Sequence, residues 1–189
     1  MNLSEKNTLK YENYIRKSNK ISNMEDEGFI CYGEKAKLDH KDRQVLSVLD
    51  KNARASIAEI SRKTGIQRDS VLYRLKRMKD LKVIRFFHTV LNPSILGHHV
   101  YSFVNFTLSC LNKEKENTFL QFLKRHPNVV YIAKTTGKWD YTINVAAENL
   151  EHFDKLVTQI RRHFSEIIKD YETSSIIQEY KYDSMVGLV

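Results

Sequence analysis

Arg68, Ser70, Tyr73, Arg74 and Arg77 fall within ten residues of one another at helical spacing. A guanidinium presents a planar fork of donors that matches phosphate oxygens and guanine edges, so such a surface suits a nucleic acid. The same segment repeats Val71, Leu75 and Met78 at i, i+4 and i+7, an apolar stripe that turns the polar set outward. An ordinary solvated basic helix would show the same residues, so the surrounding chain must decide between the two.

The surrounding stretch, Ser56 to Ile84, reads SIAEISRKTGIQRDSVLYRLKRMKDLKVI. Ile57 and Ile60 are apolar at i and i+3, Ser56 is placed to cap, and Gly65 can take the left-handed backbone that stops one helix and re-aims the next. The pattern predicts a helix-turn-helix. Upstream, Asp39 caps a third helix with Leu38 as its staple and Val45, Leu46, Val48 and Leu49 inward, ending near Asn52. Downstream, Lys82 to Pro93 is rich in β-branched and aromatic residues and predicts a strand or small hairpin, the wing of a winged helix. Ile95 to Gly97 reads as a hinge.

The net charge of +8 over 189 residues is unevenly spread. Residues 1–37 hold seven Lys/Arg and six Asp/Glu, residues 38–97 thirteen and six, and residues 98–189 eleven and eleven. The excess positive charge therefore sits on the helix-turn-helix segment, where a polyanion would attract it. Two cysteines, Cys31 and Cys110, without C-x-x-C spacing argue against a disulfide scaffold or zinc finger and fit a reducing, cytoplasmic setting. No apolar run reaches the roughly 18 residues of a membrane span. Neither a cofactor nor a metal site is expected.

Residues 1–37 form a polar arm with a marginal helix expected near 4–17. From His98 the pattern changes. Val100 to Leu108 alternates on two faces, Glu114 to Arg125 is an amphipathic helix, and Val129 to Thr135 and Asp140 to Ala147 are strands joined by a tight turn at Gly137-Lys138. Leu150 to Phe164 is a second helix, and Ile167 to Tyr180 a last strand. The order βαββαβ is that of a ferredoxin-like domain, whose sheet leaves one face bare and in want of a partner. The expected fold class is α+β: a winged helix-turn-helix over 38–92, a hinge at 93–97, a ferredoxin-like, self-associating domain over 98–182, and a tail at 183–189.

The chain resembles the Lrp/AsnC family of transcriptional regulators over about residues 37–180. The resemblance rests on LDHKDRQVLSVLDKNARAS, GIQRDSVLYRLKRMKDLKVI, LNPSILG and TTGKWDY in that order. It implies a DNA-binding homodimer or larger homo-oligomer and a small-molecule effector, commonly an amino acid. The DNA-contacting set implied is Arg54, Gln67, Arg68, Asp69, Ser70, Tyr73, Arg74 and Arg77. The effector set is Thr136, Gly137, Lys138, Trp139 and Asp140, with Ser174 and Ser175 from the last strand of a neighbouring subunit. Lys82 stands where the family usually has glycine, Gln67 replaces its usual Ser/Thr cap, and Arg68 replaces a frequent proline.

Two other readings compete. One is a metabolite-sensing or interaction module without DNA binding. The other is an enzyme like the siroheme decarboxylases, for which histidines would be the candidates. His98 and His99 point to opposite faces of a strand, and His152 and His163 lie about three helical turns apart, too far to share an ion. The sequence reading is therefore a non-enzymatic regulator.

Overall fold

The computed structural model describes residues 34–109 and 112–189, so the helix expected near 4–17, Cys31 and Cys110 lie outside the described residues. The described chain forms two compact units. One runs to His88 and takes in Asp183–Val189; the other spans Thr89–Tyr182.

The first unit is helical: α1 (His40–Lys51), α2 (Ile57–Thr64) and α3 (Arg68–Asp80). Val45, Leu49, Ile60, Ile66, Val71 and Met78 form its buried core, with Leu38, Leu46, Val48, Ile57 and Leu75 packed at its edge. Each helix boundary has a local cause. At α1 the Asp39 carboxylate accepts from Asp42 N at 2.9 Å and the Asp42 carboxylate accepts from Asp39 N at 3.0 Å, a reciprocal capping box. Ser56 caps α2 by accepting from Glu59 N. Gly65, at φ +72°, closes α2 with its amide on Ser61 O. Residues 183–189, expected as a tail, carry a short 3-10 helix, Val186–Leu188, and Ser184 Oγ donates to Asp50 at 3.2 Å.

The expected wing strand is corrected: residues 85–92 form no β-ladder. The segment has strand-forming residues, but a strand also needs a paired edge, and the described part of this unit is otherwise helical. Ile84 N returns to Met78 O at 3.1 Å, while Val83 and Ile84 pack against the helical core. Beyond them Phe86, Phe87, Val90 and Leu91 are exposed.

The second unit contains β1 (Val100–Leu108), α4 (Lys113–Arg125), β2 (Val129–Lys134), β3 (Tyr141–Ala147), α5 (Leu150–His163) and β4 (Ile168–Ser175). The sheet runs β2-β3-β1-β4 with every neighbour antiparallel, the ferredoxin-like order. Val104, Phe106, Ile143 and Val145 meet Phe119, Leu123, Phe153, Leu156, Val157 and Ile160 from the helices. Phe119 is central: its ring meets Phe106, Tyr141 and Phe164 edge-on at 5.6, 5.8 and 5.1 Å. β4 stops at Ser175 rather than continuing to Tyr180. Ser175 pairs with Ser102 and Ile176 N makes one more bond, to Tyr101 O; β1 begins at Val100, so a longer β4 would have little to pair with. Ile177 and Tyr180 are accordingly exposed.

Candidate nucleic-acid interface

Helix α3 is held by α1 through ions. Arg74 Nη1 donates to Asp39 Oδ1 and to Asp42 Oδ1, each at 2.7 Å, and Arg77 Nη2 donates to Asp42 Oδ2. Asp42 is fully buried and the Arg74 side chain is only 15% exposed. The Arg74 guanidinium, with the Asp42 amide, holds the Asp39 carboxyl at about 2, well below its ordinary 3.8. A buried carboxylate with two guanidiniums is stable only as a set, because each charge would be uncompensated without the other.

This arrangement changes the reading of the helix. Arg74 and Arg77, assigned from sequence to the outward face, are engaged inside the unit with Asp39 and Asp42. Ser70 lies half-buried on the same side. What remains outward are Gln67, Arg68, Asp69, Leu72, Tyr73 and Lys76, with Lys79 and Asp80 in the last turn, all exposed. Arg68, Leu72 and Lys76 repeat at i, i+4 and i+8, one row along the helix. Leu72 and Lys76 were missed by the sequence reading, although their spacing from Arg68 was available to find them. Gln67 precedes the helix without a side-chain cap bond. Arg54 is exposed in the α1–α2 turn, where its amide donates to Asn52 Oδ1 at 3.0 Å.

The loop expected to hold an effector is a well-bonded hairpin between β2 and β3. Thr135 N donates to Asp140 O at 2.8 Å and Thr135 Oγ1 to Trp139 O at 2.6 Å. Asp140 Oδ2 accepts from Leu108 N at 2.8 Å, which fastens the hairpin to β1. Gly137 sits at φ +105°, a backbone state that side chains resist. Lys138 lies over the Trp139 ring at 4.1 Å and reaches Glu172 at 3.5 Å. Thr136 is exposed beside Gly137. Ser175 Oγ is 2.8 Å from Ser102 Oγ within the same sheet, and Ser174 lies exposed opposite Phe103. Thr136 to Asp140 thus share one hairpin, while Ser174 and Ser175 lie on β4.

Among the described residues no helix is long and apolar enough to cross a membrane, and no group of three or more His, Cys, Asp or Glu is placed to hold a metal ion.

Two family models match: an AsnC-type helix-turn-helix domain at residues 38–79 and an Lrp/AsnC ligand binding domain at residues 102–186. The HTH-type transcriptional regulator Ptr1 of Methanocaldococcus jannaschii is 30% identical over 122 residues, 65% of this chain and 80% of the relative. The regulator FL11 of Pyrococcus furiosus is 27% identical over 123 residues, with the same coverage. A Neisseria meningitidis transcriptional regulator solved in complex with L-Met has the same fold, with a TM-score of 0.70 at 23% identity over 77% of this chain and 94% of that one. Escherichia coli AsnC superposes with a TM-score of 0.69 at 22% identity, over 80% and 99%. With the trihelical reader, the β2-β3-β1-β4 sheet and both family models in sequence order, the chain belongs to the Lrp/AsnC family of transcriptional regulators.

Proposed function

We propose that the protein is a sequence-specific DNA-binding transcriptional regulator, with α3 as its reading element. The observation that carries this is the outward surface of α3. Arg68 and Lys76 are exposed beside Leu72 and Tyr73, on a helix whose Arg74 and Arg77 are tied to α1. Arg54 adds a cation at the α1–α2 turn. Phosphates would be held by these cations, while base edges meet the first turns of α3, at Gln67, Asp69 and Tyr73. Arg74, Arg77 and Ser70 position the helix rather than read bases.

The second unit serves as the sensing and assembly half. The sheet face away from α4 and α5 carries Phe103 and Tyr131, both exposed, a surface suited to another copy of the chain. A homodimer would present two α3 helices to successive major grooves, about 34 Å apart. The hairpin of Thr136, Gly137, Lys138, Trp139 and Asp140 is the proposed effector contact, with Ser174 and Ser175 as further contacts. An amino acid is the class of effector proposed, as in the L-Met complex of the Neisseria protein. Asp140 keeps Oδ1 for such a ligand, because Oδ2 is bound to Leu108 N.

The test is fluorescence anisotropy on the protein's own upstream duplex and on random duplex, across a salt series, with and without each amino acid. Preference for the upstream duplex, and a shift in affinity or assembly size with one amino acid, support the reading. Equal affinity for both duplexes contradicts the first half; indifference to every amino acid contradicts the second.

A further inference from the structure

A single exposed leucine on a protein surface needs no explanation. Leu72 is different because of where it stands. Its side chain is 58% exposed in the second turn of α3, one residue before Tyr73, itself 65% exposed. Arg68 lies one turn before it and Lys76 one turn after, both exposed. The apolar side of the same helix is already complete without it, since Val71 and Met78 are fully buried and Leu75 packs at the edge of the core. Leu72 is therefore an apolar side chain held between two cations on the face turned away from the protein.

A duplex offers one apolar group in its major groove, the C5-methyl of thymine. The N-terminal turns of a reading helix are the part that reaches base edges, and Leu72 is the fifth residue of α3. We infer that Leu72 is a specificity-determining residue that selects thymine by packing against its C5-methyl, with Arg68 and Lys76 fixing the helix against the flanking backbone. The inference rests on the DNA-reading role proposed above. Leucine has no polar atom to pair with a base edge, so cytosine at this position presents only its N4 donor, unanswered, where thymine presents a methyl. The predicted half-site therefore carries a thymine that a purely hydrogen-bonding surface would not choose.

The experiment selects a preferred duplex from a random pool with the full chain, then replaces each of its thymines in turn by deoxyuridine, which removes only the methyl. The native protein loses about threefold to tenfold in affinity at one thymine per half-site, the scale expected for one buried methyl. Leu72→Ala binds the thymine duplex with that same loss and shows no further drop with deoxyuridine. Arg68→Ala remains sensitive to the methyl while losing affinity elsewhere. Tolerance of deoxyuridine at every position, or a Leu72→Ala variant that stays sensitive to it, overturns the inference while leaving DNA binding intact. A clearly lowered melting temperature for Leu72→Ala also overturns it, because the leucine would then be packing within the protein. Selection of no sequence at all overturns the DNA-reading role itself, which separates the two failures.

Discussion

Arg74 and Asp42, 32 positions apart in the chain, meet at 2.7 Å and fasten α3 to the first turn of α1. Asp42 also accepts from Arg77 and from the Asp39 amide, so one buried carboxylate gathers two cations and a helix terminus. The orientation of the proposed DNA-reading surface follows from this junction. Two of the arginines most suggestive of phosphate binding are spent on it.

Asp42→Ala removes the shared acceptor and leaves Arg74 and Arg77 without their buried counter-ion. The expected cost is about 3 kcal/mol, the lower end for breaking a buried ion pair on one side only. Urea denaturation monitored by circular dichroism measures it. Loss of the capping box adds to the effect, so Asp42→Asn, which keeps an acceptor oxygen but not the charge, should cost less.

The junction also sets an acid limit. The Asp39 carboxyl is depressed from 3.8 to about 2, first by the Arg74 hydrogen bond and then by the Asp42 amide. A depressed carboxylate contributes stability that is present above its unfolded value and lost as pH falls through its folded one. The gap in melting temperature between the native chain and Asp39→Asn should therefore be full above pH 4 and shrink towards pH 2. A gap that stays constant over that range would show that the Arg74 contact carries no linked charge.

The helical periodicities were legible because Val71, Leu75 and Met78, or Phe153, Leu156, Val157 and Ile160, state a buried face by spacing alone. The βαββαβ order was legible for the same reason. The placement of Arg74 and Arg77 on the outward face was misread because a one-dimensional pattern separates polar from apolar sides but does not show which polar side meets another helix. Their partners, Asp39 and Asp42, lie 35 positions before them and read locally as a cap. The wing was misread because propensity at Val83 to Leu91 speaks to the strand's own residues and not to whether an edge exists to pair with them.

Lys82, which stands where the resemblance would place a glycine, sits at φ +56°, in the left-handed region. A residue with a Cβ costs about 1 kcal/mol there relative to glycine. Lys82→Gly should thus be more stable than Lys82→Ala by about 1 kcal/mol. The comparison removes the lysine side chain in both variants and isolates the backbone. Equal melting temperatures would contradict a strained turn.

Asp140 has a folding role that must be separated from any ligand role. Its Oδ2 accepts from Leu108 N at 2.8 Å, so Asp140→Ala should cost about 1–2 kcal/mol without any effector present. Lys138→Ala, exposed in the same hairpin, should leave stability nearly unchanged. If an amino acid raises the native melting temperature, loss of that rise in Lys138→Ala at unchanged basal stability would mark ligand contact by this hairpin. A rise preserved in Lys138→Ala would remove that residue from the proposed contact set.

The division of labour on α3 is the central claim, and DNA affinity against salt for native, Arg68→Ala and Arg74→Ala chains tests it most directly, with a melting curve for each. Arg68→Ala should lower affinity and reduce the salt slope by about 1 with its melting temperature unchanged. Arg74→Ala should melt several degrees lower and, measured where it is still folded, keep the native slope. An Arg74→Ala chain that melts like the native one but binds with a shallower slope would make Arg74 a phosphate contact, and the junction with Asp42 would no longer explain how the helix is held.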